Sequence, residues 1–140
     1  METKTLNLQT TQELLALLVA MSREKFNKAA CVAVCDPYGF LLGFSRADGA
    51  PVRSIALSQQ KAYTATRMGV NTEAFLARLR KDDVPIGYFC DPLLTALPGG
   101  VLLTDASGRM LGAVGISGML PSEDQEVAEA GAGFIRQGCN

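Results

Sequence analysis

Two four-residue turns constrain this chain more than any other feature. Asp36-Pro-Tyr-Gly39 separates the apolar run Ala30-Cys-Val-Ala-Val-Cys35 from Phe40-Leu-Leu-Gly-Phe-Ser45. Asp at the first position, Pro at the second and Gly at the last suit a type I turn, so the two runs read as a hairpin. Asp105-Ala-Ser-Gly108 plays the same part between Gly100-Val-Leu-Leu-Thr104 and Met110–Ser117. Two hairpins imply a largely antiparallel sheet.

The remaining segments read mostly as helices. Thr10-x-x-Glu13 is a capping-box pattern, and Leu15, Leu18, Val19, Ser22 and Phe26 follow at helical spacing, giving a helix over 10–27. Residues 53–68 form a second helix. Its Ala56, Ser58, Ala62, Ala65 and Thr66 are small enough to let the backbone approach a neighbour closely. Asn71 or Thr72 caps a helix over 73–81 with Phe75, Leu76 and Leu79 inward. Pro121-Ser122-x-x-Gln125 caps a last helix with Val127, Gly131, Phe134 and Ile135 as its inward stripe. Segment 82–98 is broken by Pro85, Pro92 and Pro98 and has room for at most one short strand. With 140 residues and no repeat or linker, residues 1–140 read as one α+β domain with helices covering the sheet.

Composition excludes several functions. A net charge of −1, from 13 basic and 14 acidic residues, offers no field for nucleic acid. No apolar run approaches the ~18–20 residues of a membrane span, and no signal peptide opens the chain, so a cytoplasmic location is expected. The cysteines are Cys31, Cys35, Cys90 and Cys139, with no C-x-x-C pair. Cys31 and Cys35 fall on one strand face two pleats apart, too far for a disulfide. All four are read as buried, reduced hydrophobes. The chain has no histidine. That removes Ser-His-Asp and Cys-His nucleophile systems, imidazole acid/base chemistry and the commonest haem ligand, and no metal site is assigned.

The polar candidates each carry two readings. Gly112-Ala-Val-Gly-Ile-Ser-Gly118 has neither dinucleotide-loop nor P-loop spacing; glycines in a strand permit close packing of a helix or a ligand ring. Arg46 and Asp48, beside the Gly49-Ala-Pro51 turn, form either a clamp for a carboxylate or a surface ion pair. Lys61 and Tyr63 lie two apart on a helix and point different ways. An acid/base Lys61 would need burial to lower its pKa; otherwise it is a solvated lysine beside a packed tyrosine. Pro98-Gly-Gly100 either brings backbone N–H groups to a ligand or is a flexible entry to a strand. No catalytic residue is assigned.

The order and spacing of these elements resemble the GlcG/HbpS-like family, which includes the C-terminal domain of PduO-type corrinoid adenosyltransferases. The resemblance spans about 8–135. It rests on Asp36-x-x-Gly39, Leu41 to Phe44, Arg46-x-Asp-Gly-Ala-Pro51, Ser54-Ile55, Lys61-Ala-Tyr-Thr-Ala65, Pro98-Gly-Gly100, Gly112–Gly118 and the Asp124 helix. It implies a profilin-like fold, with a five-stranded antiparallel sheet and helices on both faces. It also implies a homo-oligomer and a non-catalytic accessory protein that binds a small molecule or cofactor. Some members bind haem, and others stand beside glycolate or glycerol/diol utilisation enzymes. The expected pocket lies between the sheet and the small-residue helix, lined by Arg46, Asp48, Lys61, Tyr63, Gly99 and Gly100, with the glycines of 112–118 leaving room. The cofactor is unknown. Haem is the first to test, although the first helix carries Met21 and no histidine, leaving Met21, a thiolate or a tyrosinate as donors. Two alternatives stay open. One is a small enzyme acting on a hydroxy acid or carbonyl compound, with Arg46 on the carboxylate and Lys61 or Tyr63 moving protons. The other is a structural partner of a larger dehydratase-type enzyme, for which the 48% hydrophobic content and mean hydropathy of +0.16 suggest a buried interface.

Overall fold

The computed structural model describes residues 5–138. Both turns fold as their residues dictate. The Asp36 Oδ1 atom accepts the N–H groups of Tyr38 (2.8 Å) and Phe40 (3.0 Å), and Gly39 donates back to the Asp36 carbonyl at 3.0 Å. Asp105 repeats the arrangement with Ser107, Arg109 and Gly108, each at 3.0 Å. Gly39 and Gly108 take φ of +90° and +88°, where a side chain would be strained. The first turn joins β1 (Cys31–Cys35) to β2 (Leu41–Arg46), and the second joins β3 (Gly100–Thr104) to β4 (Met110–Ser117). Pairing of β1 with β4 completes an antiparallel sheet in the order β2-β1-β4-β3.

The sheet has four strands, not the five expected. Segment 82–98 supplies only a 3-10 turn, Ile86–Phe89, and loop. Its prolines remove ladder donors, and Asp91 turns the chain by accepting the Leu93 N–H at 3.0 Å.

Helices cover both faces. On one, α1 (Leu8–Phe26) and α4 (Pro121–Gly138) bury Leu14, Leu18, Val127 and Ile135 against Val32, Val34, Val114 and Ile116. On the other, α2 (Arg53–Met68) lays Ala62 and Ala65 against Cys35 and Ala113. Beside α2, α3 (Thr72–Asp82) buries Phe75 and Leu79 against Leu94. No helix among the described residues is long and apolar enough to cross a membrane.

The helix starts differ from the motif reading. Asn7 caps α1, its Oδ1 accepting the Thr10 N–H at 2.8 Å, which leaves Thr10 inside the first turn. Asn71 stands at the N-cap position of α3, but neither its side chain nor that of Thr72 makes a capping hydrogen bond. Asn71 instead accepts the Leu102 N–H, and Thr72 the Gly100 N–H, both at 2.9 Å, tying α3 to β3. At α4 the Glu123 and Asp124 carboxylates hold the Leu120 and Met119 N–H groups, while Ser122 is exposed and Gln125 reaches Gly99. At α3 the sheet donors of β3 took the side chains that would have capped the helix.

The close seat of α2 depends on two glycines. A Cβ on Gly115 would lie 1.9 Å from the Ser58 carbonyl oxygen, and one on Gly100 would lie 2.3 Å from that of Lys61. The glycines therefore make room for the helix backbone itself. A methyl group there must displace α2, so Gly115→Ala is expected to lose about 2–4 kcal/mol in urea unfolding. Gly133→Ala, in α4 with nothing within 4 Å of its added Cβ, is expected to gain about 0.5–1 kcal/mol. Equal effects of the two would refute this account of the seat.

Candidate functional site

The outward side of α2 walls a groove of about 430 Å³. Its floor is Cys35 and Ala62, its walls Leu41 and Ile55, and Leu93 closes one side. Ala56, Gln59, Gln60 and Tyr63 lie along the same helix face, at the i, i+3, i+4, i+7 spacing that one face allows. The volume falls in the range of ordinary small-molecule pockets, with an apolar interior and few polar groups.

Two titratable groups line the groove, and both are held protonated. Burial pushes the Cys35 thiol up to about 11. The Tyr63 hydroxyl donates to Asp91 Oδ2 at 2.7 Å, which raises its pKa and lowers that of Asp91. The Arg67 guanidinium lies over the Tyr63 ring, 4.8 Å from its centre.

The opposite, inward side of α2 carries Lys61. This lysine is 2% exposed, not solvated. Its ammonium donates to the Ile116 carbonyl at 2.7 Å and to Asp124 Oδ2 at 3.1 Å. Asp124, also 2% exposed, accepts the Met119 N–H on its other oxygen at 3.2 Å. Burial opposes both charges. It lowers the Lys61 pKa and raises that of Asp124 to about 6, against the pull of their mutual attraction.

The six residues read from the sequence as one pocket fall in three places. Arg46 and Asp48 are exposed at the end of β2 and in the loop beyond, and form no ion pair among the described residues. Lys61 meets Gly99 and Gly100 in a buried seam, with Lys61 Nζ 3.0 Å from where a Gly99 Cβ would stand. Tyr63 faces the groove. The sequence reading missed Asp91 and Asp124 as partners. Asp91 lies in the proline-broken stretch, and Asp124 has the sequence position of an ordinary helix-start acid. It also missed the groove face of α2, whose helical spacing was visible. Cys31 and Cys35 are buried free thiols as expected, but Cys90 is exposed, and Cys139 lies outside the described residues.

A sequence model of the family described as "Haem degrading protein HbpS-like" matches residues 6–133. The chain belongs to the HbpS-like family. Protein GlcG of Escherichia coli K12 is 32% identical over 110 residues, covering 76% of this chain and 80% of GlcG. Among solved structures, a double mutant of Streptomyces reticuli HbpS superposes with a TM-score of 0.82 at 27% identity, covering 96% of this chain and 90% of that one. A structure described as a PduOC:Heme complex does so with a TM-score of 0.82 at 21% identity over 94% and 96% of the two chains, which shows a shared fold. The HbpS-like assignment thus rests on sequence and fold together.

Asp124 makes stability pH-dependent in a defined direction. Its carboxyl titrates near 6 in the folded protein and near 3.8 when free. Between those values the folded state holds a proton that the unfolded chain releases, so this contribution is full below about pH 4 and lost as pH rises to about 6. Relative to Asp124→Asn, the wild type is expected to lose on the order of 1–3 kcal/mol across that window. A flat or rising difference in urea midpoints would show that burial does not govern this carboxyl.

Proposed function

We propose that this HbpS-like chain is a non-catalytic binding protein whose ligand is a flat, largely apolar small molecule held in the α2 groove. The carrying observation is the 430 Å³ groove, apolar within and edged by Gln59, Gln60 and Tyr63. The family's description and the haem-bound fold relative make a tetrapyrrole the first ligand to test.

The groove suits a tetrapyrrole ring better than its iron. Met21 packs into the core on the α1/α4 face, across the sheet from the groove. Cys35 and Tyr63 do line it, yet the thiol stays protonated and the phenol donates its proton to Asp91. No described residue there offers iron a ready anionic or imidazole donor. Binding by ring contact alone therefore predicts that haemin and iron-free protoporphyrin IX bind with Kd values within about threefold of each other. Ala56→Trp, which fills the groove from its exposed side, should weaken both at least tenfold. A saturable Soret titration and porphyrin fluorescence give the two constants. Unchanged binding by Ala56→Trp, or no saturable binding of either, overturns the reading.

Self-association is supported by the apolar surface beside the groove. Tyr38, Phe40 and Val52 are 72%, 65% and 73% exposed, and Leu41 and Leu93 continue that surface into the groove wall. A homo-oligomer burying this rim is expected in sedimentation; a monomer at micromolar concentration would remove this part of the reading.

A further inference from the structure

A second cavity, of about 180 Å³, lies on another face of α2 and does not share the groove's residues. Its lining includes Lys61, Asp124, Ser54, Ser117 and Arg53. The first four are 1–5% exposed. Such a concentration of buried polar groups around an opening needs acceptors for all its donors.

Two of the buried donors keep a hydrogen that the hydrogen bonds among the described residues do not use. An ammonium has three N–H bonds, and Lys61 gives two of them to Ile116 and Asp124. Ser117 donates to Ser54 at 3.1 Å, so the two hydroxyls share one hydrogen bond and retain one proton for another acceptor. Asp124 already accepts one hydrogen bond on each oxygen, from Lys61 and from Met119, and makes none to either serine. Charge points the same way. Lys61 and Asp124 cancel, whereas Arg53 at the exposed edge has no carboxylate partner among the described residues. Glu123, next to Asp124, is paired with Lys28. The cavity thus carries one uncompensated positive charge and at least two buried donors, and Leu57, Leu97 and Met119 add apolar wall.

We infer that this cavity binds a small monocarboxylate of about two to four carbons bearing a second polar oxygen, such as a 2-hydroxy or 2-oxo acid. Arg53 and the serine hydroxyl hold the carboxylate, and the free Lys61 N–H meets the second oxygen. The apolar wall receives the short carbon chain. A cavity of this size admits few more atoms than that.

The probes are lactate and pyruvate, with neutral lactamide and inorganic phosphate as controls, followed by calorimetry and by amide shifts of Ser54 and Ser117 at pH 7.5. Lactate or pyruvate is expected to bind saturably, with lactamide at least tenfold weaker. Arg53→Gln and Ser117→Ala, which leave the buried ion pair intact, should each lower affinity five- to tenfold. The groove-filling Ala56→Trp should leave it unchanged, so the two sites stand or fall separately. Equal binding of lactamide, preference for phosphate, or no saturable binding up to about 50 mM, weaker than the ~1 mM of a weak specific site, overturns the proposal. Saturable lactate binding that Arg53→Gln and Ser117→Ala leave intact overturns it as well.

Discussion

The contact between the α2 backbone and the glycine strip of β3 and β4 sets the position of everything else. Only hydrogen at Gly100 and Gly115 allows the Ser58 and Lys61 carbonyls to lie so near the sheet. At that distance the inward residues of α2 must be small or must extend past the sheet's end. Ala62 and Ala65 take the first course, and Lys61 takes the second. The outward residues of the same helix then stand over the end of the first hairpin and make the groove. One helix therefore presents two unlike surfaces because its axis is held close to the strands.

The buried ion pair is the costly part of this arrangement. Two charges leave water, and their attraction offsets that cost only when further hydrogen bonds satisfy the remaining lone pairs and protons. The Ile116 carbonyl and the Met119 N–H do so for most of them. A leucine and a methionine of similar volume would fill the space with less penalty, so stability alone gives no reason for the pair. A charged, donor-rich seam does have a reason in a protein that holds a polar molecule there.

Much of the fold was legible because it is local. Each Asp-to-Gly turn fixes its hairpin within a few residues, and the four helices follow from spacing of apolar side chains. The fifth strand failed for a physical reason: an expectation based on resemblance met a segment whose prolines and Asp91 side chain favour turns. Caps failed where a side chain had two suitors, as when Asn71 served Leu102. The site was less legible because it is assembled from distant parts. Nothing within the Lys61 neighbourhood of the sequence announces Asp124, 63 residues away, and nothing near Tyr63 announces Asp91. Glycine was read as space for a helix or a ligand ring, and at Gly100 and Gly115 the helix has that space.

The Lys61–Asp124 link joins helices on opposite faces of the sheet, passing the carbonyl of Ile116 on the way. It can close only when both helical layers are docked and β4 lies in its native alignment. A slip of β4 by one residue would exchange the two faces of the strand and carry that carbonyl away from the ammonium. The ion pair thus works as a register check. Hydrophobic contacts tolerate neighbouring alignments better than a buried lysine, which a misaligned strand would leave without its carbonyl acceptor.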